Sequence, residues 1–189
     1  MNVPLITPEL VCLDADLGST KAEVITSVAG IIAAAGRADA DGLSHDALDR
    51  EAQSPTGMPG GFAIPHCRSA AVSQPSLGFA RLSPAVDFNG PDGPADLVFM
   101  IAAAEGAGAD HMKLLTKLAR ALVKTEFVEQ LRQATDARTV VDLIESVVEP
   151  DAAAPSSAAV SPASAAPDPA VQAPAVPSQT AGTEADQQQ

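Results

Sequence analysis

At 189 residues the chain is long enough for one domain with an appendage, and its 24 acidic against 11 basic residues leave a formal charge of −13 and a pI near 4.4. That balance argues against nucleic acid as a partner and toward protein surfaces of opposite sign. No apolar run approaches the roughly 20 residues that cross a bilayer, the N-terminus has no basic region followed by an apolar stretch, and two cysteines, Cys12 and Cys67, make no disulfide framework. A cytoplasmic protein without membrane insertion is expected.

In chain order, Val11-Cys12-Leu13 reads as a first strand. Ser19 or Thr20, the latter with Glu23 three residues on as a capping box, opens a helix carrying Val24, Ile25, Val28, Ile31 and Ile32. Gly36 is its natural stop. Ser44 reads as the cap of a second helix, His45 to Gln53, which bears Leu48, Arg50 and Glu51. A loop dense in Gly and Pro then leads to a short apolar run, Phe62-Ala63-Ile64. Pro65 lacks an amide hydrogen and ends such a run, so His66 is expected where sheet gives way to loop. Ser76 to Leu82 alternates as a strand, and Leu97 to Ile101 is a continuous apolar run suited to a strand buried on both faces. The turn residues Pro91 to Pro94 separate the two.

After Asp110, Leu114, Leu115, Leu118 and Leu122 fall on one helical stripe. Helices at about 126–133 and 138–149 follow, the second burying Val140, Val141, Ile144 and Val148. Helices alternating with short strands argue an α/β domain over residues 1–150. Composition changes at Pro150. Residues 151–189 contain no aromatic residue, no Leu or Ile and no Lys or Arg. Such an Ala/Pro-rich segment buries too little apolar area to offset its entropy, so a disordered linker or tail biased toward extended polyproline is expected.

Several segments carry a resemblance when taken together: Leu5-Ile-Thr-Pro-Glu-Leu10, Asp49-Arg50-Glu51, Ser54-Pro55-Thr56-Gly57, Gly61-Phe62-Ala63-Ile64-Pro65-His66, and Asp110-His111 through Leu122. In order and spacing they resemble the enzyme IIA domains of the phosphotransferase system (PTS), fructose/mannitol type, over about residues 1 to 150. The resemblance implies a mixed β-sheet sandwiched between helical layers. It also implies a phosphoryl carrier, with His66 phosphorylated on Nε2 (a tele-phosphohistidine). The donor would be HPr or an HPr-like domain, and the acceptor a cysteine on an enzyme IIB domain, which in some systems belongs to a IIBC transporter. His111 matches the family's second histidine, Arg50 its active-site arginine, and Thr56 its loop ahead of the active strand, where a hydroxyl can meet phosphate. No cofactor is implied, and the favoured sugar is fructose. Cys67 departs from the small residue usual after the histidine.

The chemistry of these residue types agrees with that assignment. A neutral imidazole is nucleophilic near physiological pH and passes a phosphoryl group on readily, provided one nitrogen holds the lone pair and the other is held by an acceptor. The migrating group spreads negative charge over three oxygens, so catalysis is positioning plus electrostatics. Arg50 offers a planar donor fork for those oxygens, and the N-terminus of the helix near Asp110 offers amides and a positive dipole end. Each residue also has a structural reading. Arg50 can pair with Glu51 or Asp46, Asp110 can cap its helix, Thr56 can serve loop packing, and His111 and His45 can be solvated. The absence of a Cys-x-x-Cys or a spaced His pair speaks against a metal site, and the absence of a Walker loop against direct ATP use. Three functions stand beside one another: a transport phosphocarrier, a regulatory phosphoacceptor of the same fold, and a non-enzymatic binding domain.

Overall fold

A computed structural model describes residues 4–106 and 108–148, with the backbone alone for 108–112. The boundary expected at Pro150 and the tail expected over 151–189 lie outside the described residues. A 3₁₀ turn, Pro8–Leu10, leads into strand β1 (Val11–Ala15). Helices α1 (Lys21–Ala34) and α2 (Ala40–Gln53) follow, then the short strands β2 (Gly57–Met58), β3 (Phe62–Ala63) and β4 (His66–Ser69). The long strands β5 (Ser76–Val86) and β6 (Ala95–Ala104) complete the sheet. Helices α3 (Gly108–Leu122), α4 (Thr125–Gln133) and α5 (Ala137–Val148) close the domain.

The sheet is mixed. Its order is β1-β5-β6-β3-β2, with β4 also on β6. β1 runs parallel to β5, β5 antiparallel to β6, and β3 and β4 both parallel to β6. β6 is central and nearly all of its side chains are buried, as its uninterrupted apolar sequence requires. Phe99 anchors it with edge contacts to Phe62 and Phe79, at centroid separations of 6.4 and 5.2 Å.

Strand alternation on β5 separates the two helical layers. A Cβ on Gly78 would come within 2.7 Å of Val28, so α1 lies on that face, close enough to exclude any side chain. Arg81, three residues on and therefore on the opposite face, reaches the end of α4 at the carbonyls of Leu131, Arg132 and Ala134. Helices thus cover both faces, and the expected α/β sandwich is the fold observed. Among the described residues no helix is long and apolar enough to cross a membrane.

Local signals explain most boundaries. Thr20 and Glu23 exchange both capping-box hydrogen bonds at the start of α1, and Gly36, at φ +73°, follows its last turn. α5 buries Val140, Val141, Ile144 and Val148, as its stripe predicts. Two expectations are corrected. The cap of α2 is Asp39, whose carboxylate accepts from the Gly42 amide, so the helix starts one turn earlier than a Ser44 cap would allow. Ser44 lies within the helix instead, its hydroxyl 3.0 Å from that of Thr26 on α1. His66 opens a strand and does not stand beyond one. β3 and β4 occupy a single lane beside β6 with unbroken register, Ala63 opposite Val98 and His66 opposite Ile101, and Ile64-Pro65 interrupts them without a bulge. The Pro65 carbonyl still accepts from the Ile101 amide, which holds the lane together across the gap.

Candidate functional site

The interruption before His66 is what equips it. Pro65 has no amide to give to β6, and the Ile64 carbonyl accepts from His66 Nδ1 at 2.9 Å. A carbonyl only accepts, so Nδ1 carries the proton, and in the neutral ring Nε2 holds the lone pair. The tautomer required of a nucleophile at Nε2 is therefore fixed by the backbone two residues upstream.

His66 is half-buried and lines an open cleft of about 730 Å³. One wall is the C-terminal half of α2, with Asp46, Asp49, Arg50 and Gln53. β4 contributes Cys67, Arg68 and Ser69 as well, and Glu105 and Leu115 complete the lining. Of the residues singled out from the sequence, His66 and Arg50 both line this cleft, among several other charged groups.

The structure brings Arg50 to this cleft. It stands in the last turn of α2, and its Nη1 donates to the Ser54 carbonyl at 3.3 Å. It does not pair with Glu51 or Asp46, the alternative open from sequence. Arg68 was not singled out from the sequence, yet it lines the same cleft. Along β4, His66 is half-buried and Arg68 exposed while Cys67 and Ser69 are buried, so His66 and Arg68 project from one face about 7 Å apart. The alternation within His66-Cys67-Arg68-Ser69 was the available signal. Among the described residues Arg68 makes no ion pair.

Thr56 is placed elsewhere. It is 7% exposed and does not line the cleft. Its hydroxyl donates to Glu51 Oε2 at 2.6 Å and its amide to Glu51 Oε1 at 3.0 Å. A buried carboxylate five residues upstream has taken both donors, which leaves the hydroxyl proton engaged inside the protein and corrects the expectation that it would meet phosphate. His111 falls in the first turn of α3, one helical turn before the cleft residue Leu115. Its side chain lies outside the described residues, as does that of Asp110. His45 sits on the exposed side of α2 near Asp46 and Asp49, at 3.4 and 3.6 Å.

Cys67 is 4% exposed. Burial, with the charge of Asp46 adding to it, pushes its thiol up to about 12. The thiolate is the reactive form, so this cysteine stays protonated beside His66 and is a poor rival nucleophile or oxidation site. On β4 it alternates with His66 and Arg68 and is buried where they are not.

Residues 4–147 match the family described as "Phosphoenolpyruvate-dependent sugar phosphotransferase system, EIIA 2". A fructose-specific EIIA component of the PTS from Haloferax volcanii is 37% identical over 151 residues, which is 78% of this chain and 97% of that protein. Among solved structures, the nitrogen regulatory protein IIA-Ntr from Neisseria meningitidis matches with a TM-score of 0.69 at 26% identity, covering 74% of this chain and 96% of that one. IIA mannitol from Escherichia coli matches with a TM-score of 0.63 at 26% identity, covering 74% and 98%. The chain belongs to the EIIA 2 family of the phosphoenolpyruvate-dependent sugar phosphotransferase system, whose domains carry phosphoryl groups between the components of that system.

Proposed function

We propose that this chain carries a phosphoryl group on Nε2 of His66 in the cytoplasm, taking it from phosphorylated HPr or an HPr-like domain and giving it to a cysteine of an enzyme IIB domain. The observation that carries the reading is the hydrogen bond from Nδ1 to the Ile64 carbonyl, which puts the lone pair on Nε2 in a ring that lines an open cleft. In the first step the Nε2 lone pair forms a bond to phosphorus. The bond from phosphorus to the donor breaks, and its electron pair stays with the donor. In the second step a thiolate attacks the same phosphorus, and the N–P electron pair returns to the imidazole. Arg50 and Arg68 line the cleft, where their guanidiniums suit the charge on the three equatorial oxygens. The first turn of α3, with His111, is the third source of donors in this reading. Fructose is the favoured sugar, since the Haloferax volcanii relative is a fructose-specific component.

A regulatory role for the same phosphohistidine is the second reading, favoured by the likeness to the Neisseria meningitidis nitrogen regulatory protein. Both readings begin with the same event, and a purely structural role for His66 does not. Incubation with phosphorylated HPr is expected to place an acid-labile, base-stable label on the wild-type chain and none on His66→Ala. Label persisting in His66→Ala would overturn the site. Passage of the label to a IIB domain then favours transport, and its retention in the presence of IIB favours regulation.

A further inference from the structure

We propose that Glu51 is a positioning residue that sets the tautomer of His66 by withdrawing a competing backbone donor. The inference rests on the reading of His66 as the phosphoryl carrier and concerns how that ring is held. β2 and β3 are antiparallel, with Gly57 opposite Ala63 and Met58 opposite Phe62. Extending that register by one residue puts Thr56 opposite Ile64. Residues facing each other in an antiparallel ladder alternate between pairs that exchange two hydrogen bonds and pairs that exchange none. The Ile64 amide donates to the Thr56 carbonyl at 3.1 Å, which marks this pair as the bonded kind. The reciprocal bond, Thr56 amide to Ile64 carbonyl, is the one the ladder calls for, and it is missing.

Its donor has gone to Glu51 Oε1 at 3.0 Å, and its acceptor has gone to His66 Nδ1 at 2.9 Å. Glu51 is 2% exposed and stands in the last turn of α2, one position after Arg50. Its other oxygen holds the Thr56 hydroxyl at 2.6 Å, and Lys21 of α1 lies 3.4 Å from Oε1 while donating to Asn89 at 2.8 Å. A buried carboxylate accepts from several donors more strongly than a neutral carbonyl does, so it wins the Thr56 amide. The Ile64 carbonyl, an acceptor that would otherwise be claimed by the backbone, is left to the imidazole. Without Glu51 the ladder closes, the Ile64 carbonyl is shared between the Thr56 amide and Nδ1, the hold on the Nδ1 proton weakens, and the ring shifts toward the tautomer with its proton on Nε2. That form has no lone pair where the phosphoryl group arrives.

The test needs no phosphoryl donor for its main readout. The ¹⁵N shifts and two-bond proton couplings of His66 report which nitrogen is protonated. In the wild type we expect the Nδ1–H form, and in Glu51→Leu a shift of population toward Nε2–H. Glu51→Gln retains a carbonyl oxygen for the Thr56 amide and is expected to restore most of the Nδ1–H form. Transfer from phosphorylated HPr should fall about 10-fold in Glu51→Leu, the lower end of what outer partners of metal-ligating histidines contribute, while the donor concentration for half-maximal rate stays unchanged. An unaltered tautomer in a folded Glu51→Leu protein overturns the proposal. Should that variant fail to fold, couplings across hydrogen bonds in the wild type decide it. Coupling of the Thr56 amide to the Glu51 carboxyl carbon supports the assignment, and coupling to the Ile64 carbonyl carbon refutes it. Failure of the wild type to accept phosphate would count against the carrier reading and leave the tautomer result standing.

Discussion

Two regions of this acidic domain use arginine in opposite ways. Between β1 and the end of α4, Arg81 gives Nε and Nη2 to both oxygens of Asp14, at 2.8 and 2.7 Å, and Nη1 to the carbonyls of Leu131, Arg132 and Ala134. Arg132 beside it grips both oxygens of Asp96, Glu129 and the Gly60 carbonyl. Each is raised above the usual arginine range, chiefly by the carboxylate it holds. Around His66, Arg50 donates to one carbonyl and Arg68 makes no ion pair among the described residues, although Asp46, Asp49 and Glu105 line the same cleft. A guanidinium whose three nitrogens are each held by the protein fastens one element to another. One left without a carboxylate partner is positioned for an anion that arrives from outside.

The contrast is broken most severely at Arg50. Arg50→Ala is expected to slow phosphoryl transfer to His66 by about 10²–10³-fold, the usual size for one donor aimed at developing charge. Urea unfolding should show a stability loss below about 1 kcal/mol, since the side chain gives up a single long hydrogen bond. Equal thermal loss with unchanged transfer would make Arg50 another structural arginine.

In the other region the signs reverse. Arg81→Ala is expected to lower the unfolding free energy by about 2–3 kcal/mol, because three carbonyls lose a charged donor, with transfer kinetics little changed in the protein that remains folded. Acid sharpens this result. Hydrogen bonding to Arg81 holds the Asp14 carboxyl below the usual aspartate range. That contribution is complete above the ordinary aspartate value and is lost as pH falls through the depressed folded value. The stability gap between wild type and Arg81→Ala should therefore narrow in acid, yet not close, since the carbonyl bonds do not titrate. A gap that widened on acidification would contradict the assignment.

What could be read from sequence follows the range of the interactions involved. The capping box of α1 and the apolar stripe of α5 are complete within a turn or two of helix, and both stood out. The buried character of β6 followed from one unbroken apolar run. The start of α2 did not, because Ala40-Asp41-Gly42 is a weak helical opening. It is held by contacts outside the helix, including the Asp39 amide on the Ala71 carbonyl. The identity of the central histidine came with the family pattern around Ile64-Pro65-His66. The acceptor that holds it did not, since finding it requires knowing that Thr56 faces Ile64 and that Glu51 intercepts the amide between them. Thr56 stayed open between a phosphate contact and loop packing for the same reason: a hydroxyl near an active loop looks available until the buried carboxylate five residues away is known. Arg68 was within reach of simple strand alternation from His66.

The central claim, that Nε2 of His66 is the atom that carries phosphate while Nδ1 stays on the Ile64 carbonyl, is tested most directly by ³¹P–¹⁵N coupling in the phosphorylated, ¹⁵N-histidine-labelled protein. We expect phosphorus bonded to Nε2 of residue 66 with the Nδ1 proton retained. Phosphorus on Nδ1, or on His45 or His111 in place of His66, would contradict it.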